Sequence, residues 1–164
     1  MRVRPREPVD RPAIEGFLAR WHSLRVARLG AVEQPLDHPA LIAEQDGRLV
    51  GVLSYVVDGA RCEVLTLHAD VRGCGVGTAL IAEAKRVARE AGCTRLWLVT
   101  TNDNIDALRF YQRRGFRLAA LHPGAVDDSR ARLKPEIPEI GNHRIPLRDE
   151  LELEHELSPE APAG

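Results

Sequence analysis

Several things are scarce in this chain of 164 residues. Aromatic residues make up 4% and the formal net charge is -1. That excludes a nucleic-acid binder built on interleaved aromatic and basic residues, and it removes electrostatic attraction to a membrane surface as a driving force. No run approaches the roughly 18 apolar residues a membrane span needs. No apolar stretch behind Met1-Arg2-Val3-Arg4-Pro5 has the length of a signal peptide. The three cysteines, Cys62, Cys74 and Cys93, form no C-x-x-C pair, and an odd number does not suit a disulfide framework. No His/Cys/Asp grouping has metal-ligand spacing, so no metal is expected. Together these absences predict a cytoplasmic protein with reduced thiols, no nucleic-acid partner and no membrane.

What is present fits an ordinary globular domain. Apolar residues account for 44% and charged residues for 29%. The length suits one domain over residues 1–157, followed by a disordered tail over 158–164. Asp10 reads as a helix cap, with Pro12 in the first turn and Ile14, Phe17, Leu18 and Trp21 at helical spacing over 11–24. Residues 25–39 have weak periodicity and two prolines, and read as a mobile connection. From Ala40 the period changes to two. Asp46-Gly47 and Asp58-Gly59 are hairpin turn signals between three extended runs, giving an antiparallel meander that ends at 62–69. Simple alternation puts Glu63, Leu65 and Leu67 on one face of its last strand, and Cys62, Val64, Thr66 and His68 on the other.

Three glycines then occur at alternate positions in Arg72-Gly73-Cys74-Gly75-Val76-Gly77-Thr78, before a helix predicted over 79–91 with Leu80, Ala84, Val87 and Ala91 on one stripe. Glycine permits positive φ and close backbone approach to a ligand, while a helix start offers unpaired N–H groups and the positive end of a dipole. This suits a diphosphate. A Walker A loop is excluded, because Thr78-Ala79 stands where Lys-Ser/Thr is required; G-x-G-x-x-G fails as well, its third glycine falling on Thr78 or Leu80. Residues 95–101 read as a strand covered on both faces, 104–114 as a helix closed by Gly115, and 116–121 as a strand. A short helix is expected around 126–133. Leu151-Glu152-Leu153-Glu154 reads as a last strand with one face in water. The predicted fold class is α/β: a mixed sheet of about six to seven strands flanked by about four helices.

The glycine turn resembles the R/Q-x-x-G-x-G/A motif of the GNAT superfamily of N-acetyltransferases. A second block, Asn104, Ala107, Tyr111 and Gly115-Phe116, is similar to the helix and strand that close that family's acyl-CoA site. The two blocks span roughly 63–116. The resemblance implies acetyl-CoA as co-substrate, its pyrophosphate on the backbone of Arg72, Gly73, Cys74, Gly75, Val76, Gly77 and Thr78. It implies that the pantetheine arm pairs with the main chain around Leu67, His68 and Ala69 and meets Asn104. It makes Tyr111 the candidate acid and Glu63 the candidate base, with His68 a rival base on the other strand face. It implies transfer of the acetyl group to a primary amine of a small molecule or peptide by direct attack in a ternary complex. The alternative is a non-catalytic acyl-CoA-binding domain on the same fold. Arg109, Arg113, Arg114, Arg130, Arg132 and Lys134 read as solvated faces or contacts to the 3′-phosphate. An edge strand and a proline-rich arm leave a homodimer open.

Overall fold

The computed structural model describes residues 1–71 and 73–158, so Arg72 and residues 159–164 of the predicted tail lie outside the described residues. Among the described residues there are four α-helices and a mixed sheet of seven strands, as the sequence predicts. The described residues divide into two compact units, one made of residues 1–25, 34–96 and 156–158, the other of residues 26–33 and 97–155.

In the first unit β1 (Arg2–Pro5), β4 (Ala40–Gln45), β5 (Arg48–Asp58) and β6 (Arg61–Ala69) lie side by side in that order, each antiparallel to the next. Asp46 and Gly47, at φ +52° and +73°, make the tight turn that Asp-Gly predicts. Helix α1 (Arg11–Arg20) buries Ile14, Phe17 and Leu18 against Leu36, Ala40, Ile42 and Val52. Each fully buried side chain of that size contributes roughly 1.5–3 kcal/mol. The helix stops short of Trp21, which leaves the predicted stripe. Asp10 makes no side-chain cap to α1. Its carboxylate accepts the Glu7 N–H at 2.7 Å and pairs with Arg4 at 2.7 Å, which holds its pKa down to about 2.

Helix α2 (Val76–Glu90) lies on the opposite face of β5. A Cβ on Gly51 would come within 2.5 Å of Val76 Cγ1 and 3.0 Å of Leu80 Cδ1, so the missing side chain seats the head of α2 on the strand. The helix begins three residues earlier than predicted. Its buried stripe is Val76, Leu80, Ile81, Ala84 and Ala88 rather than one through Val87 and Ala91.

The alternation predicted along β6 does not hold. Ser54 pairs with Thr66, but Tyr55 pairs with Val64, so Leu65 is an extra residue in the strand. Paired residues share a face. His68 pairs with Val52, Thr66 with Ser54 and Glu63 with Val56. Glu63, Thr66 and His68 therefore share one face, that of Val52, which α1 covers. The bulge corrects the reading that put Glu63 and His68 on opposite faces.

The second unit holds a two-stranded ribbon, β2 (Val26–Arg28) and β3 (Ala31–Glu33), where a mobile connection is predicted. Leu29 and Gly30, both at positive φ (+48° and +75°), make its turn; Leu-Gly is not a pair that announces one. The remaining strands run in the order β7 (Arg95–Thr101), β9 (Glu150–Glu156), β8 (Arg117–His122), with α3 (Ile105–Gln112) and α4 (Ala125–Arg132) between them in sequence. The glutamates of β9 do not form a wet face. Glu150 is 2% exposed and accepts the Leu29 N–H at 3.0 Å, Glu152 approaches His122 at 3.3 Å, and Glu154 pairs with Arg117 at 3.3 Å. Alternation is right for the strand and wrong for its exposure, because pairing replaces water. Arg130 is likewise no solvated cation: it donates to the carbonyls of Ile137, Pro138 and Leu147 and pairs with Asp127 at 2.7 Å.

Candidate functional site

The glycine turn is built as its residues require. Gly73 and Gly75 stand at φ +81° and +78°, and Gly75 is the N-cap of α2 in the left-handed conformation. Nothing lies within 4 Å of a Cβ built on either, so backbone conformation, not crowding, calls for glycine at both. The first intrahelical bond runs from the Ala79 N–H to the Gly75 carbonyl at 2.9 Å. The amides ahead of it head the helix and project from its positive end. Val76 is buried beneath the turn, while Gly73, Cys74 and Gly75 are exposed. A cavity of about 410 Å³ beside the turn is lined by Cys74, Val76, Val71 and Arg48 among others. Cys74 is the exposed cysteine; Cys62 and Cys93 are buried, and burial pushes the Cys62 thiol up to about 12.

The same unit holds Glu63, Leu67, His68 and Ala69 on β6. Glu63 is 5% exposed, on a strand whose other buried residues are Cys62, Val64, Leu65 and Thr66. Ser54 and Thr66, both buried, share a hydrogen bond at 2.5 Å. His68 stacks on Trp21 with ring centroids 5.1 Å apart and planes 12° apart, and its Nε2 lies 2.8 Å from Ser23 Oγ. Burial lowers its pKa to about 4, so the imidazole is neutral at physiological pH. Trp21 and Ser23 are the contributors here that sequence reasoning missed: it assigns Trp21 to the apolar stripe of the first helix, which ends before it, and does not single out Ser23.

Asn104 and Tyr111 belong to the second unit. Asn104 is the N-cap of α3, its Oδ1 accepting the Ala107 N–H at 3.2 Å; the same amide carries two N–H donors. Tyr111 is 7% exposed, edge-on to Phe110 at 5.1 Å and Phe116 at 5.3 Å. Burial raises its phenol well above the usual range, against a smaller opposing pull from Arg114. The hydroxyl stays protonated at any physiological pH. Arg114 stacks on Phe110 with its guanidinium carbon 3.6 Å from the ring centre.

Asp103, which sequence reasoning passed over, organises the neighbouring loop. It is 4% exposed and accepts Thr101 Oγ1 at 2.5 Å and the Asn142 N–H at 2.8 Å. Beside it, Asn102 Oδ1 accepts the N–H groups of Arg148 and Asp149, each at 3.0 Å, and its NH₂ donates to the Pro146 carbonyl. Among the described residues no group of three or more His, Cys, Asp or Glu side chains could hold a metal ion, and no helix is long and apolar enough to cross a membrane.

Comparison with known proteins adds a second line of argument. The sequence profile of the Acetyltransferase (GNAT) family matches residues 9–116. The uncharacterized protein YdhI of Bacillus subtilis (strain 168) is 37% identical over 154 residues, spanning 92% of this chain and 95% of that protein. Streptothricin acetyltransferase of Streptomyces lavendulae is 31% identical over 118 residues, spanning 66% of this chain and 62% of its own length. Among solved structures, a Bacillus subtilis acetyltransferase crystallised in complex with CoA superposes with a TM-score of 0.69 at 18% identity, covering 96% of this chain and 99% of that one.

Proposed function

Because this chain belongs to the GNAT acetyltransferase family, we propose that it transfers the acetyl group of acetyl-CoA to a primary amine of a small molecule or peptide. The observation that carries the reading is the left-handed Gly75 cap at the head of α2, within a glycine-rich turn that matches the family's diphosphate-binding motif. The backbone of residues 73–78 holds the pyrophosphate, with Arg72 adding a cation. Main-chain groups of Leu67, His68 and Ala69 hold the pantetheine arm as an added strand would, and one N–H there stabilises the oxyanion. The amide of Asn104 donates to the same arm.

In the reaction the amine nitrogen attacks the thioester carbonyl, the carbon–sulfur bond breaks, and CoA leaves as the thiolate, which takes its proton from solvent once released. Glu63 takes the proton that the amine loses. Tyr111, held protonated by burial, donates to the departing sulfur; a phenol with a raised pKa serves better as a hydrogen-bond donor to the thiolate than as a full proton source.

Calorimetry with acetyl-CoA tests the binding step. Release of free CoA with a panel of amines (streptothricin, spermidine, lysine and a peptide with a free N-terminus) tests transfer. Tyr111→Phe should lower turnover by about 10²-fold while leaving acetyl-CoA affinity within about twofold. Binding without turnover on any amine would select the non-catalytic acyl-CoA-binding reading instead.

A further inference from the structure

The bulge at Leu65 lines up three polar side chains on the α1 face of β6: Glu63, Thr66 with its partner Ser54, and His68. Buried polar groups are costly unless each is hydrogen-bonded. Ser54 and Thr66 satisfy one another. His68 is fixed from two sides, its ring against Trp21 and its Nε2 against Ser23.

The hydroxyl of Ser23 also donates to the Trp21 carbonyl at 3.1 Å. A hydroxyl has one hydrogen. With that hydrogen on the carbonyl, Nε2 must be the protonated nitrogen and donate to Ser23 Oγ. The neutral ring then carries its lone pair on Nδ1. The fold thus fixes the position of an imidazole on the same strand face as the candidate base, and the tautomer with its hydrogen on Nε2 lets Ser23 keep its bond to the Trp21 carbonyl.

We propose that His68 is the amine-orienting residue of the transfer reaction: its Nδ1 accepts a hydrogen bond from an N–H of the acceptor amine and so aims the nitrogen lone pair at the thioester, while the proton passes through water to Glu63, which stands further along the same face. The inference rests on the acetyltransferase reading above. A cationic histidine would repel a protonated amine and could accept nothing. The neutral ring does neither, and burial keeps it neutral down to about pH 4. Among the described residues the ring is held by Trp21 and Ser23, neither of them charged.

Three substitutions separate orientation of the amine from a structural latch to Ser23. The carbonyl of His68→Asn stands where Nδ1 stood and loses the bond to Ser23. The amide of His68→Gln reaches Ser23 in place of Nε2 and loses Nδ1. His68→Phe keeps the stack on Trp21 and loses both nitrogens. At saturating acetyl-CoA, the Phe and Gln variants should raise the acceptor KM and lower kcat/KM by about 10-fold or more, the Asn variant should recover much of that, and acetyl-CoA affinity should stay within about twofold throughout. Rescue by Gln rather than Asn, or a Phe variant with wild-type kinetics, overturns the proposal. A readout independent of turnover uses CoA-saturated protein labelled with ¹⁵N-histidine: the His68 ring signals should report the Nε2–H tautomer and move when an amine of the panel is added. Ring signals that stay fixed with every amine also overturn it. Failure of acetyl-CoA to bind in calorimetry is a different result and strikes the parent reading.

Discussion

Each unit contains both strand ladders and side-chain ties, and the two differ in which of these holds the segments around the candidate site residues. In the first, β4 to β5 to β6 is a ladder between neighbours in sequence, and the turn into α2 follows β6 at once. In the second, single side chains reach across long stretches of chain: Asp103 to Asn142, Asn102 to Arg148 and Asp149, and Glu150 to Leu29, which is 121 residues away in sequence. A ladder shares its energy among many backbone bonds, each worth about 1 kcal/mol net. A tie concentrates it in one carboxylate or one amide. The two units should therefore respond differently to a single cut.

The largest response is expected at Asp103. Asp103→Ala leaves the Asn142 N–H and the Thr101 hydroxyl without their acceptor in a site that is 4% exposed, and should cost about 2–4 kcal/mol. Chemical denaturation of the full chain measures it. Hydrogen exchange should show the loss concentrated in the loop around Asn142, with the β4–β5–β6 amides still protected. Uniform loss of protection in both units would erase the distinction between tie and ladder.

In the first unit the corresponding cut is Gly75→Val. A β-branched residue forced to φ +78° stores strain of about 1–3 kcal/mol, or the turn relaxes and moves the amides at the head of α2. Since no atom lies within 4 Å of the added Cβ, stability should fall less than for Asp103→Ala, while acetyl-CoA affinity should fall by an order of magnitude or more. Unchanged affinity would remove the basis for reading this turn as the diphosphate site.

The same contrast explains which features are legible in the sequence. The meander, the glycine turn and the helices α2 and α3 rest on signals a few residues long: Asp46-Gly47, Asp58-Gly59, Gly73 through Gly77, and Asn104 at a cap. These were legible. The Leu65 bulge was not, because nothing in Val64-Leu65-Thr66 marks which residue is left unpaired, and one extra residue reverses the face of everything beyond it. The ribbon at 26–33 was missed because Leu29 takes a left-handed conformation that its side chain disfavours, and the Glu150 carboxylate that accepts its N–H lies at the far end of the chain. Periodicity cannot register a bond of that span. At the candidate site the same division holds: Tyr111, Asn104 and the turn came from motif spacing, whereas the Trp21–His68–Ser23 cluster exists only after β6 and the end of α1 are brought together.

The smallest effect, and the sharpest on the ribbon, is expected at Glu150. Its carboxyl is pushed up by burial, with the Leu29 N–H the largest opposing influence; His122 and Arg28 also lower it, and Glu152 raises it. A carboxyl whose pKa is higher folded than unfolded binds more protons in the native state between the two values. Its contribution to stability is therefore fully present below the unfolded value of about 4.5 and is lost as pH rises through the folded one. Glu150→Gln keeps an oxygen to accept the Leu29 N–H and carries no charge, so at neutral pH it should change stability by less than about 1 kcal/mol, in the stabilising direction, and flatten the decline with rising pH. Glu150→Ala keeps neither oxygen nor volume and should expose the Leu29 amide to exchange. Thermal melts of the three proteins from pH 4 to pH 8, with exchange at Leu29, separate the terms. If Gln and Ala behave alike, the carboxylate is not what holds the ribbon turn in its left-handed conformation.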